Sequence, residues 1–161
     1  MRVGTGFDLH RMGADRPLIL GGVEIRPDDG LVGHSDADCV LHAVADALLG
    51  AAALGDIGQH FPDTDPAYKD ADSGELLKRI VSLVESNGYR IVNVDCTVLA
   101  ESPKLSPHRD AMRRRMAELL GTDTGAVGMK FTTFEGLGAL GRGEGIACQA
   151  ICLLDETERS A

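Results

Sequence analysis

"HSDADCVLHAVADALLG" (residues 34–50) opens on polar residues and passes into an apolar run in which Val40, Leu41, Val44, Leu48 and Leu49 recur at helical spacing. Ser35 is the expected N-cap, with Asp38 three residues on in a variant of the capping box. At about 100° per residue, Asp38, His42 and Asp46 share one narrow stripe, roughly opposite Val40 and Val44. A lone stripe of this kind usually marks a solvated face. A ligand histidine, however, commonly has a neighbouring carboxylate that holds its tautomer, and His42 has an acid one turn away on each side.

Around this helix the chain alternates between strand and helix patterns. Residues 2–10 are extended, and "PLILGGVEI" (17–25) predicts a hairpin turning at Gly21-Gly22. Residues 55–72 are rich in Gly, Pro and Asp and form the longest loop-like stretch, a common setting for function. A second helix is expected over 73–87, with Leu76, Leu77, Ile80, Val81 and Val84 inward and Gly88 at its end. A strand follows at 90–100. The third helix, in "SPHRDAMRRRMAELLG", carries the stripe Met112, Met116, Leu119 and Leu120, and Arg113, Arg114 and Arg115 are expected on its solvated face. "AVGMKFTTF" and "GIACQAICLL" are strands; the second is apolar on both faces, as in a central strand or one buried between subunits. The order predicts one α+β domain over residues 1–161, a mixed β-sheet packed against helices.

The composition narrows function. The chain has 161 residues, 25 acids against 16 bases and a net charge of −9, which argues against sequence-independent nucleic-acid binding. Aromatics are 4% with no Trp, so base-stacking surfaces are not expected. The four cysteines form no C-x-x-C pair; Cys148 and Cys152, on one strand face, would lie roughly 13 Å apart, beyond disulfide reach. The expectation is reduced, buried thiols in a cytoplasmic protein without membrane attachment. No apolar run is long enough to span a bilayer.

Two further patterns bear on chemistry. In "FDLH", Asp8 and His10 point to one side of a strand and could grip a cation together. Packed beside the first helix they would join His42 in three ligands with a fourth position open, the arrangement of catalytic zinc; the bland alternative is an exposed pair. The glycines of "EGLGALGRGEG" formally fit G-x-G-x-x-G, but they run into a strand rather than a helix, so a dinucleotide site is rejected. A phosphate-contacting loop with Arg142, or a tight turn, both remain open there. "TTFE" adds two hydroxyls and a carboxylate, and "SPKLSPH" brackets Lys104 with prolines. No nucleophile–base arrangement is identifiable, and His60 and His108 have no assigned role.

"GTGFDLH", "GHSDADCVLHAVADALLGAAALGDIGQHFPDTDP", "ADS" (71–73), "SPKLSPH", "TTFEGLG" and "GRGEGIACQA" together resemble the 2-C-methyl-D-erythritol 2,4-cyclodiphosphate synthase family of non-mevalonate isoprenoid biosynthesis, across almost the whole chain. The resemblance implies a phosphorus–oxygen lyase that closes 4-diphosphocytidyl-2-C-methyl-D-erythritol 2-phosphate to the cyclic diphosphate and releases CMP. It implies a homotrimer with active sites between subunits. Asp8, His10 and His42 are then the zinc ligands, the acids of the helix flank orienting His42, and Glu135 holds magnesium or manganese. His34 and Ser35 contact substrate phosphate, and His34 and Thr133 assist the transition state. Asp56, Ile57 and Gly58 hold sugar hydroxyls, while Phe61, Pro62, Asp63, Thr64 and Asp65 cover the substrate. Ala100, Lys104, Leu105, Ser106 and Thr132 form the cytidine pocket. Asp8, His10, Phe134, Glu135, Ala139 and Arg142 also border the ligand, Arg142 at a phosphate position. Phe131, Phe134, Ala139 and Leu140 depart from the family pattern, which bears on the nucleotide pocket and the cavity on the trimer axis. A metal-dependent phosphoesterase, or a binding protein with a structural metal, are the alternatives from other classes.

Overall fold

The computed structural model describes residues 1–157. Strand β1 (Arg2–Met12) pairs antiparallel with β7 (Gly145–Glu156), which pairs antiparallel with β5 (Tyr89–Leu99); β5 runs parallel to β6 (Val127–Thr132). The short β4 (Leu31–Val32) completes a five-stranded sheet in the order β4-β1-β7-β5-β6. Strands β2 (Leu18–Leu20) and β3 (Val23–Arg26) form a separate hairpin turning at Gly21 and Gly22, whose φ of 60° and 71° suit the turn that matches strand twist. Helices α1 (Cys39–Ala52), α3 (Ser73–Ser86) and α4 (Arg109–Leu120) build one shared core against one face of the sheet. The expected α+β class is what the fold shows.

Eleven of the 14 residues of α1 are buried, because it lies against β1 and β7 with α3 outside it. The approach to β1 is unusually close. A Cβ on Gly4 would come within 2.0 Å of Ala47 O, and one on Gly6 within 2.0 Å of Ala43 O. Small residues on both partners let the helix backbone rest on the strand. Gly4, Gly6, Asp8 and His10 share one strand face, so the contact that seats α1 also points Asp8 and His10 at its first turns.

The start of α1 differs from the expected capping box. Asp38, not Ser35, is the N-cap, with Oδ1 accepting from Val40 N–H at 3.0 Å and Leu41 N–H at 3.1 Å. The same carboxylate accepts from Gly21 N–H at 2.9 Å and Gly22 N–H at 2.6 Å, and so ties the hairpin turn to the helix. Four amide donors outcompete a local box. Residues 55–72 are not wholly loop: they contain one short helical turn, α2 (Ile57–His60), and a 3-10 turn at Pro66–Tyr68. Arg113 is not solvated with its neighbours; it donates to Val127 O and Thr124 O, both at 2.8 Å, and fastens α4 to the approach to β6.

The central position expected for the last strand holds, but only one face of it is covered. Cys148, Ala150, Cys152 and Leu154 are buried under the helices, whereas Ile151 is 45% exposed. On the same open face Val3, Phe7 and Leu9 are 70%, 60% and 50% exposed. The four cysteines are free and buried, and no helix among the described residues is long and apolar enough to cross a membrane. The remaining short helix, α5 (Gly138–Gly141), precedes β7.

Candidate metal centre and nucleotide pocket

Asp8, His10 and His42 converge where β1 leaves the edge of α1. Asp8 Oδ2 lies 2.9 Å from His10 Nε2 and 3.0 Å from His42 Nδ1, and the two ring nitrogens are 3.2 Å apart. A tetrahedral zinc with bonds of about 2.0–2.1 Å needs donor atoms about 3.3 Å apart, so the triangle is close to ligand spacing without rearrangement.

The outer hydrogen bonds select the right nitrogens. His10 Nδ1–H donates to Val32 O at 2.9 Å, which leaves the Nε2 lone pair facing the centre. His42 Nε2–H donates to Ser73 Oγ at 2.8 Å, and the Ser73 hydroxyl donates to Asp36 Oδ1, which leaves Nδ1 facing the centre. Asp36 Oδ2 also accepts from Ser73 N–H at 3.0 Å, so a first-turn residue of α3 is fixed to the loop before α1. The acids of the α1 flank do not orient His42 as expected: Asp38 is spent on its four amides, and Asp46 accepts from Ile57 N–H at 2.8 Å. Burial works to raise the Asp8 carboxyl, but the hydrogen bonds and charges of His10 and His42 hold it well below the usual carboxylate range. Burial likewise works against protonated His10, yet the Asp8 carboxylate raises it overall. Two neutral imidazoles and one carboxylate make a borderline donor set suited to zinc.

The triangle opens into a cavity of about 540 Å3. His34, Ser35, Ile57, Gly58, Phe61, Pro62 and Asp63 line it with the three ligands. The other loop positions expected at the site, Asp56, Thr64 and Asp65, are exposed and are not among the lining residues. Asp56 caps α2 through Gln59 N–H at 3.0 Å, and Asp65 caps the Pro66 turn through Ala67 N–H at 2.9 Å. The Asp65 carbonyl lies 3.1 Å from His34 Nε2. Tyr68, not singled out from sequence, and Leu76, expected there only as an inward helix residue, also line the cavity.

A second cavity, of about 290 Å3, is lined by Ala100, Lys104, Leu105, Ser106, Thr132 and Thr133, and also by Glu101, Pro103, Arg109 and Phe131. Phe131, one of the departures noted from sequence, carries the Arg109 guanidinium 5.2 Å from its ring centroid. Phe134 and Glu135 lie on the loop just beyond, and Glu135 Oε1 accepts from Thr133 Oγ1 at 3.1 Å. Ala139 instead lines a third cavity, of about 200 Å3, beside Leu9 and His10. Arg142 pairs with Glu144 at 2.6 Å.

The metal-cluster cavity and the cavity walled by the 100–106 loop share no residue. β1, β5 and β6 point the same way, so both cavities sit at one end of the sheet. β1 and β6 are three strand positions apart, roughly 14 Å at about 4.8 Å per step. His34 and Thr133 are therefore not brought together within one chain, nor is Glu135 joined to the Asp8 cluster.

The fold is thus an α+β domain with a three-residue cluster that could hold a metal ion and a separate pocket walled by a Pro-Lys loop. The YgbB family profile matches residues 1–155. The 2-C-methyl-D-erythritol 2,4-cyclodiphosphate synthase of Salinibacter ruber is 60% identical over 154 residues, covering 96% of this chain and 98% of that protein. The synthase of the same name from Bacillus velezensis is 56% identical over 155 residues, with coverage of 96% and 98%. Among solved structures, the bifunctional IspDF of Campylobacter jejuni superposes with a TM-score of 0.94 at 45% identity, over 96% of this chain and 42% of that one. IspF of Plasmodium falciparum in complex with CDP gives 0.85 at 33% identity, over 98% and 97%. The chain belongs to the YgbB family, that of the 2-C-methyl-D-erythritol 2,4-cyclodiphosphate synthases.

Proposed function

We propose that this chain, one synthase domain over residues 1–161, converts 4-diphosphocytidyl-2-C-methyl-D-erythritol 2-phosphate to 2-C-methyl-D-erythritol 2,4-cyclodiphosphate with release of CMP. The observation that carries the reading is the Asp8–His10–His42 triangle, with its tautomers set from outside and its open side toward a cavity of about 540 Å3. The names of the relatives point to the same reaction.

The reaction needs the 2-phosphate oxygen to reach the β-phosphorus in line while CMP leaves, so catalysis is chiefly positioning and charge neutralisation. No protein nucleophile is required, and none was identifiable. Asp8, His10 and His42 would hold zinc, and Glu135 would hold magnesium or manganese. Bound there, the cations supply charge neutralisation and alignment of phosphate oxygens, which a chain of net charge −9 does not supply by its overall field. His34 and Ser35 stand at the cavity wall to donate to phosphate oxygens, and Asp56 with the Ile57–Gly58 backbone serves sugar hydroxyls. Phe61, Pro62 and Asp63 screen the reacting groups from water. The 100–106 loop and Thr132 receive the cytidine, and Thr133 turns its hydroxyl toward the diphosphate. Arg142 is assigned to phosphate.

His34 and Thr133 act on one substrate in this scheme but lie in separate cavities of one chain. A homotrimer resolves this by setting the nucleotide pocket of one subunit against the metal cavity of the next. The uncovered sheet face with Val3, Phe7, Leu9 and Ile151 supports the assembly, since a patch of that kind is costly to leave in water. The four buried free thiols support a reducing, cytoplasmic setting.

Phosphorus NMR of the purified protein with the cytidyl substrate, zinc and magnesium tests the reading. Paired cyclic-diphosphate resonances growing with CMP are expected; open-chain phosphate products would instead mean water-dependent hydrolysis. His42→Ala is expected to abolish both zinc binding and turnover, and turnover retained in a verified zinc-free variant would overturn the metal assignment.

A further inference from the structure

The loop that carries Thr133 and Glu135 runs irregularly from the end of β6 to α5. Glu135 adopts φ 52°, a left-handed conformation unfavourable for a long side chain, and Gly136 follows at φ 73°. Such strain persists only where the surroundings over-determine the backbone. Here the constraint comes from across the nucleotide pocket. Glu101 Oε1 accepts from Phe134 N–H at 2.7 Å and from Gly136 N–H at 3.3 Å. The amide between them, Glu135 N–H, is 3.3 Å from Thr133 Oγ1, and that hydroxyl donates on to the Glu135 carboxylate. Three successive amides are thus satisfied by side-chain oxygens, two of them curled around one carboxylate as an anion nest.

We propose that Glu101 is a positioning residue for phosphoryl transfer: its carboxylate clamps residues 134–136 so that Thr133 Oγ1 and the Glu135 carboxylate are presented together. The inference rests on the reading of Thr133 and Glu135 given above. Charge-assisted bonds to amides are about twice as strong as neutral ones, so a single oxygen can hold the strained turn. Glu101 itself sits between Ala100 and Ser102, in the segment that walls the nucleotide pocket. The same contact therefore joins the cytidine end of the site to its phosphate end.

Glu101→Ala and Glu101→Gln separate positioning from bulk structure, since Gln keeps a carbonyl oxygen able to accept both amides. Glu101→Ala is expected to lower kcat about 10–100-fold and to raise KM about tenfold, and Glu101→Gln to restore both to within about threefold. Two readouts do not depend on turnover. Amide exchange at residues 133–136 rises in Glu101→Ala but not in Glu101→Gln. Manganese-dependent affinity for CDP, measured by calorimetry, falls about tenfold in the alanine variant alone. Wild-type kcat and exchange in Glu101→Ala would overturn the proposal, and so would a glutamine variant as impaired as the alanine one. Should the wild-type protein form no cyclic product, the synthase reading fails on its own, and exchange with manganese-dependent CDP binding still decides: loss of both supports the clamp, and unchanged values overturn it.

Discussion

His42 Nε2 and Ser73 Oγ lie 2.8 Å apart, and the serine hydroxyl donates a hydrogen bond to Asp36 Oδ1. The contact joins α1 to the first turn of α3 and settles which nitrogen of His42 faces Asp8 and His10. Ser73 is 1% exposed, so water cannot take its place without repacking. Asp36→Asn is therefore expected to weaken zinc binding about 10–100-fold while leaving the fold intact, the usual scale for a partner one step behind a ligand. Competition against a chromophoric chelator measures it. An unchanged zinc affinity would show that Asp8 alone orients the ring.

The candidate ligands were visible in the sequence as local patterns, Asp8 and His10 from the two-residue repeat of a strand and His42 from the flank of a helix. Their union in one cluster rested on the family resemblance and is what the structure adds. The network behind them was not visible. Ser73 lies 31 residues from His42 on a different helix, and no periodicity links them. Asp38 shows the same limit from the other side. The local pattern from Ser35 to Asp38 fits a capping box, but the hairpin amides of Gly21 and Gly22, invisible to a local reading, recruit Asp38 as the cap. The two separate cavities were also hidden, since strand order, not sequence proximity, sets β1 apart from β6.

The Asp38 carboxylate is fully buried with four amide donors aimed at it, two from α1 and two from the hairpin. Asp38→Ala removes a helix cap and strands buried N–H groups, at a cost of about 2–4 kcal/mol. Urea denaturation in the presence of a chelator checks this without the contribution of bound metal. A loss below about 1 kcal/mol would mean that the hairpin amides find other acceptors.

Gly6 offers a steric probe of the contact that aims the ligands. A Cβ there would fall 2.0 Å from Ala43 O and 2.8 Å from Ala47 N, both backbone atoms that cannot swing aside. Gly6→Ala must lift α1 from β1, with a stability loss of about 1–3 kcal/mol or more from overpacking. Because His42 rides on α1 and Asp8 on β1, zinc affinity falls with it. Chelator competition alongside denaturation separates the two effects, and a destabilised variant with wild-type zinc affinity would show that the triangle adjusts independently of the helix seat.

Acid and zinc compete for the same triangle, and the two act in opposite directions. In metal-free protein the Asp8 carboxyl lies below its ordinary value of 3.8, so its contribution to stability is present above that pH and is lost as pH falls through the lowered value. His10 lies above its ordinary value of 6.5, so its contribution is complete below 6.5 and is lost as pH rises through the raised value. The pair therefore stabilises chelator-treated protein most between these two ordinary values. Relative to Asp8→Asn, the wild-type Tm advantage under chelation should shrink on the alkaline side. Zinc requires His10 without its proton, so the Tm increment on adding zinc should grow as pH rises from about 5.5 to about 8. Differential scanning fluorimetry with and without zinc reads both trends, and a zinc increment independent of pH across that range would remove the Asp8–His10 proton from the account of metal binding.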